Sequence, residues 1–182
     1  VMSAGRTPAQ LYGLLRRRYH DAMDWTRLRF FQMDEYVPRQ SQDRGTFRRF
    51  LEPSLVTPLG MAARLLDGDE SASALREHEA AIEDAGGIDL LLHGIGQNGH
   101  LGFNEPGSAF DSSARRVTLA ESSRPRQIEA DCRPIEGVTL GLGLLNSARR
   151  VRLIASGACK RAAINAAILG PRSEACPASG LQ

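Results

Sequence analysis

Apolar residues recur along this chain in two rhythms. Leu11, Leu14 and Leu15 fall at helical spacing behind Thr7-Pro8, a pair suited to an N-cap and a first turn. They predict a helix that runs into Arg16-Arg17-Arg18. Arg27–Met33 (RLRFFQM) reads as a strand that closes in Asp34-Glu35-Tyr36-Val37-Pro38. Ser41–Leu51 predicts a helix, Arg64–Leu66 a short strand, and Ala72–Ala85 a helix stopped by Gly86-Gly87. Ile88–Leu92 is a mostly apolar run between glycines and reads as a buried parallel strand. Further on, Arg115–Leu119 predicts a strand, and Val138–Leu145 a strand that turns directly into a short helix. Arg150–Ala155 follows as a strand, then a helix over Ala158–Leu169, opened by Ser156-Gly157 and stopped by Gly170-Pro171. Strands alternating with helices predict one α/β domain over residues 1–182, with a mainly parallel sheet. A strand normally precedes a loop such as Ser3–Pro8. Here that strand is absent or reduced to two residues.

Composition narrows the class. The 182 residues are 42% hydrophobic and 24% charged, as in a soluble globular protein. The 23 basic and 21 acidic residues leave a net charge of +2, which gives no argument for nucleic acid or an anionic membrane as partner. No apolar run approaches the roughly 20 residues of a spanning helix, and no signal peptide is visible. Cys132, Cys159 and Cys176 have no metal-ligand spacing and read as reduced cysteines of a cytoplasmic protein.

The chemistry gathers in Leu90–Phe110. Behind the apolar run come Gly94, Gly96, Gly99 and Gly102, with Asn98, His100, Asn104 and Glu105 among them. All lie beyond a strand's carboxyl end, the edge where open α/β sheets bind ligands. His100 and Glu105 form a candidate proton-transfer pair; a solvated loop histidine is the plain alternative. Asp34 and Glu35 fall on the same edge, where one acid serves as general base or both merely close a turn. The loop Gly5-Arg6-Thr7 feeds a helix N-terminus, a ready anion site or an ordinary cap. Lys160 stands in the first turn of the last helix, an unfavourable place for a cation unless an anion binds nearby. His78 reads as a surface residue, and His93 as core or as support for the loop.

Two motifs together, FQMDEYVP (Phe31–Pro38) and GIGQNGHLGFNEPGSAF (Gly94–Phe110), resemble those of the glucosamine-6-phosphate deaminases. The wider family also holds 6-phosphogluconolactonases and other sugar-phosphate isomerases. SAGRTP (Ser3–Pro8), RRVTLAESSR (Arg115–Arg124), GVTLGLGLLNSARRV (Gly137–Val151) and ASGACKRAAI (Ala155–Ile164) extend the likeness over nearly the whole chain. The resemblance implies a Rossmann-like three-layer sandwich that lacks the family's first helix and strand. It implies a cytoplasmic enzyme of amino sugar metabolism that converts glucosamine 6-phosphate, or its galactosamine epimer, to a ketose phosphate and ammonia. In that reading His100 shuttles the ring-opening proton, Glu105 and Asn98 support it, and Asp34 moves the C2 proton to C1. Gly5, Arg6, Thr7 and Lys160 take the phosphate. No metal or organic cofactor is implied, and self-association is common among such proteins. The alternatives are a 6-phosphogluconolactonase-type hydrolase and a non-catalytic sugar-phosphate binder. The chain departs from its relatives in several places. Asn98 stands where many have Asp, and Ala4 where many have Thr. The family's phosphate-binding Arg has no clear match, with Arg126 and Arg133 as candidates. Of an allosteric basic pair only Arg115 is present, with Val117 at the second position.

Overall fold

The parallel ladder is built from very short pieces. β1 (Arg29–Phe31) pairs in parallel with β3 (Ala62–Arg64), and β4 (Leu91–His93) with β7 (Val151–Leu153). The start of the chain joins the two pairs: Met2 bridges Gln32 on one side and Leu92 on the other, both in parallel. Leu92 N–H donates to Val1 O at 3.0 Å and Ser3 N–H to Leu92 O at 3.1 Å. The order across the ladder is therefore β3–β1–Met2–β4–β7, with Met2 in the place of the strand that the sequence reading gives as absent or reduced to two residues. The computed structural model describes residues 1–38, 45–120 and 135–182.

Alternation along these strands sends side chains to two layers. Phe30 and Leu92 pack with Tyr12 of α1 (Arg6–Arg18), with Leu51 of α2 (Thr46–Leu51) and with Leu55 and Val56 of the π-helical turn that continues it. Phe31 and Leu91 face the other way. There they meet Ile82 of α3 (Ala72–Asp84), Leu142 and Leu145 of α4 (Leu142–Asn146), and Ala163 and Ala167 of α5 (Arg161–Ile168). Helices on both faces of a parallel ladder make the expected three-layer α/β sandwich. A separate sheet is antiparallel: β2 (Asp34–Tyr36) pairs with β6 (Glu136–Thr139), and β6 with β5 (Arg115–Thr118).

Several local expectations change. Arg27–Met33 is not one strand: a 3-10 turn over Trp25–Arg27 precedes β1, and Asp34-Glu35-Tyr36, read as a strand end, is itself the strand β2. β3 lies two residues before Arg64–Leu66. The N-cap of α1 is Gly5 rather than Thr7. Ser3 is held extended on Leu92, so the chain must turn at once, and Gly5 does so at φ 126°. His78 is buried rather than exposed. Its Nε2–H donates to Gln32 O at 2.9 Å, and its ring meets Phe31 edge-on at 6.0 Å. The predicted residues Arg124, Arg126, Cys132 and Arg133, and the start of the Ser41 helix, lie outside the described residues. Among the described residues no helix is long and apolar enough to cross a membrane.

Candidate active site

A cleft of about 390 Å³ opens beside the carboxyl end of β4, within the range of small-molecule sites. Ser3 and Ala4, Asp34 and Tyr36 of β2, Phe47 of α2, residues 93–97, 100, 102 and 103, and Lys160 line it. It thus brings Asp34, His100 and Lys160 to one space. Gly5, Arg6 and Thr7 follow directly on Ser3-Ala4, at the N-cap and first turn of α1.

The loop after β4 is held by its own backbone and by one buried amide. Gly96 N–H donates to His100 O at 3.0 Å, and Leu101 and Asn104 exchange backbone hydrogen bonds at 3.3 and 3.0 Å. Asn104 is wholly buried. Its Nδ2 donates to Leu101 O at 3.0 Å and Leu140 O at 2.9 Å, and its Oδ1 accepts from Arg115 at 3.0 Å. This staple fixes the neighbouring Glu105. Asn98 Nδ2 donates to Glu105 Oε2 at 2.8 Å, and Asn98 Oδ1 accepts from His100 N–H at 3.2 Å. The same Glu105 oxygen lies 3.4 Å from His100 Nδ1. A carboxylate at Nδ1 favours the tautomer that leaves Nε2 as a proton acceptor. Arg115, half of the allosteric pair sought in the sequence, here also reaches Ser108 Oγ at 3.1 Å and braces the loop.

Asp34 is buried in the cleft wall. Burial, and then the negative charge of Glu35, push its carboxyl up to about 7. It therefore exchanges a proton near neutral pH, as a general base requires. Lys160 Nζ donates to Ile95 O at 2.6 Å, which keeps its ammonium at the cleft.

Two features were not legible in the residues alone. Tyr36, Phe47 and Phe103 form an aromatic wall, with ring centroids 4.8 Å apart for Tyr36–Phe47 and 5.0 Å for Tyr36–Phe103. Glu35 faces away from the cleft and anchors α2. Strand alternation is the signal that separates it from Asp34, once DEY is seen as a strand. His93, read as core or as support for the loop, has a buried ring. Its Nδ1–H donates to Gly94 O, so Nε2 carries a lone pair, and this atom has no partner among the described residues. Burial pushes the group down to about 4, and it stays neutral at pH 7.

Among the described residues no group of three or more His, Cys, Asp or Glu side chains is placed to hold a metal ion. The model of the family described as glucosamine-6-phosphate isomerases/6-phosphogluconolactonase matches residues 1–182. A glucosamine-6-phosphate deaminase of Hahella chejuensis is 36% identical over 191 residues, covering all of this chain and 73% of the relative. One of Cutibacterium acnes is 37% identical with the same coverage. A solved structure of a monomeric glucosamine-6-phosphate deaminase matches with a TM-score of 0.83 at 30% identity, over 98% of this chain and 78% of that one. The 6-phosphogluconolactonase of Thermotoga maritima, at a TM-score of 0.76 and 22% identity over 100% of this chain and 78% of its own, shares the fold. By the match along its whole length and by the likeness of its relatives, the chain belongs to the glucosamine-6-phosphate isomerase/6-phosphogluconolactonase family.

Proposed function

We propose that the protein converts glucosamine 6-phosphate to fructose 6-phosphate and ammonia by isomerisation and deamination. One observation carries this reading: Asp34, tuned to near-neutral proton exchange, and His100, backed by Glu105, face one cleft. A lactonase needs a base for water. A deaminase needs in addition a second base for a carbon-bound proton, and Asp34 is suited to that task.

The sugar enters in its closed-ring form. His100 Nε2 takes the proton of the anomeric hydroxyl and returns one to the ring oxygen, and the C1–O5 bond breaks. Glu105, 3.4 Å from Nδ1, orients the imidazole and stabilises the imidazolium formed on the way. Asn98 contributes hydrogen bonds and no charge, so Glu105 supplies the negative partner. Asp34 then removes the C2 proton and delivers it to C1 through an enolamine. The nitrogen at C2 becomes an imine, which water hydrolyses to the ketone with release of ammonia. The phosphate lies on the first-turn N–H groups at Gly5, Arg6 and Thr7, with Lys160 as counter-charge. The small sugar phosphate is thus the partner, in a cytoplasmic setting that suits the free thiols of Cys159 and Cys176.

The test is ammonia release from glucosamine 6-phosphate, with hydrolysis of 6-phosphogluconolactone measured in parallel on the same folded sample. Equimolar ammonia and fructose 6-phosphate are expected. Lactone hydrolysis without ammonia would overturn the reading in favour of the hydrolase, and silence in both assays would point to a binding protein.

A further inference from the structure

Glu35 sits beside Asp34 on β2 and on the opposite face of the strand, with its side chain fully buried. Its Oε1 accepts from Tyr36 N–H at 2.9 Å and Phe47 N–H at 3.0 Å. Its Oε2 accepts from Phe47 N–H and Arg48 N–H, both at 2.9 Å, and from Gln32 Nε2 at 3.1 Å. Burial pushes the Glu35 carboxyl up, and every one of these partners is a donor that pulls it back toward the carboxylate; a protonated acid would turn its O–H against an N–H. Phe47 and Arg48 are in the first turn of α2, whose N-cap Gly45 has no side chain to offer. The cap therefore comes from a strand about a dozen residues upstream, as a charge at the positive end of the helix.

The same contacts reach the cleft from both sides. Gln32 Nε2 also donates to Asp34 O at 2.8 Å, and Gln32 Oε1 accepts from Leu66 N–H at 3.1 Å. Phe47, held by its own amide, stacks against Tyr36 and Phe103 on the cleft wall. We propose that Glu35 is a positioning residue for the reaction, resting on the deaminase reading above: its carboxylate clamps α2 to β2 and so places Asp34 and Phe47 on the cleft wall together. An ordinary helix cap would not need to be a buried anion next to the general base. The clamp adds a second consequence. Its charge lies one residue from Asp34 and makes that group a stronger base. The other titratable groups around Asp34 are Tyr12 on α1, Tyr36 on β2, His93 and His100 from the β4 end and its loop, and Lys160 before α5. Thr139, opposite on β6, is neutral. Around Glu35 stand Arg48, which bonds Asp67 at 2.9 Å, and Gly68 of the adjoining turn.

The experiment compares Glu35→Gln and Glu35→Asp with the wild type. It reads kcat and KM for ammonia release, and the titration midpoint of the Asp34 carboxyl carbon by NMR. Glu35→Gln is expected to lower kcat about tenfold with KM within about twofold. It should also move the Asp34 midpoint down by about one pH unit, since a like charge has gone. Glu35→Asp keeps the charge but shortens the clamp, so the midpoint stays while kcat falls. A folded Glu35→Gln protein with unchanged kcat and midpoint would overturn the proposal. Should that variant not fold, Glu35→Asp decides: unchanged kcat would overturn it equally. Wild-type silence toward glucosamine 6-phosphate defeats the deaminase reading alone, because the Asp34 midpoint still reports on Glu35 without turnover.

Discussion

Asp34→Asn lowers kcat for ammonia release by about 10³-fold and makes the protein more stable above pH 7. The first effect follows from the proposed role, because an amide cannot take the C2 proton. The second follows from the environment of the carboxyl. Burial, and then Glu35, raise it from 3.8 to about 7 in the fold. Between those values the native state binds more protons than the unfolded chain, so the slope of stability with pH is negative there. The favourable contribution is fully present below 3.8 and is lost as pH rises through 7. At pH 8 the ionised group thus costs the fold on the order of 4 kcal/mol. Asparagine carries the same shape without the charge and avoids that cost. Urea unfolding of both proteins at pH 8 and pH 5 tests the linkage. The advantage of Asp34→Asn should shrink by roughly 2–3 kcal/mol at the lower pH. An advantage independent of pH would place Asp34 outside the buried, charge-coupled setting described. This is a cost set by function: a base of suitable strength at neutral pH is kept where an amide would be more comfortable.

Long or well-punctuated elements were readable before the fold was known, and so were the short strands β5 and β7, which fall within Arg115–Leu119 and Arg150–Ala155. The helix over Ala72–Ala85 matches α3 to within a residue, since its capping Ser71 and closing Gly86-Gly87 act locally. β2 was not readable, because three residues carry no period, and Asp34-Glu35 reads as a turn until β6 pairs with it. His78 looked like a surface residue because its neighbours in sequence are charged. Its burial is decided by Gln32 and Phe31, which reach it from 46 and 47 positions away. The N-cap of α1 moved to Gly5 for a similar reason, a strand contact to Leu92 that no local rule contains. In the cleft, the Asn98–His100–Glu105 grouping was legible because all three share one loop with short separations. The aromatic wall and the Glu35 clamp draw on β2, α2 and the central loop at once, and only the fold assembles them.

Gly96→Ala is expected to lower kcat/KM by about 10²-fold while leaving stability nearly unchanged. The His100 ring lies flat over this residue. A Cβ at position 96 would stand 2.4 Å from Nδ1 and 2.5 Å from Cδ2 and Cε1. No ring tolerates a methyl at that distance, so the imidazole must swing away. The movement separates Nδ1 from Glu105 Oε2, now 3.4 Å apart, and shifts Nε2 from the place that the proposed ring opening requires. The backbone at Gly96 is outside the left-handed region, so alanine itself adds no strain there. His100 is partly exposed and has room to relocate without disturbing the core. Gly99 is the useful contrast. It has φ +87°, and a Cβ there would meet Cys176 Sγ at 2.6 Å, so Gly99→Ala is destabilising by two routes. A Gly96→Ala protein that unfolds at the wild-type urea midpoint and yet loses activity would tie the chemistry to the placement of His100 on that loop. Activity retained within about twofold, where the placement of a general acid–base group should matter far more, would show that the imidazole acts from elsewhere, and that its contact with Glu105 is not what prepares it for the ring-opening step.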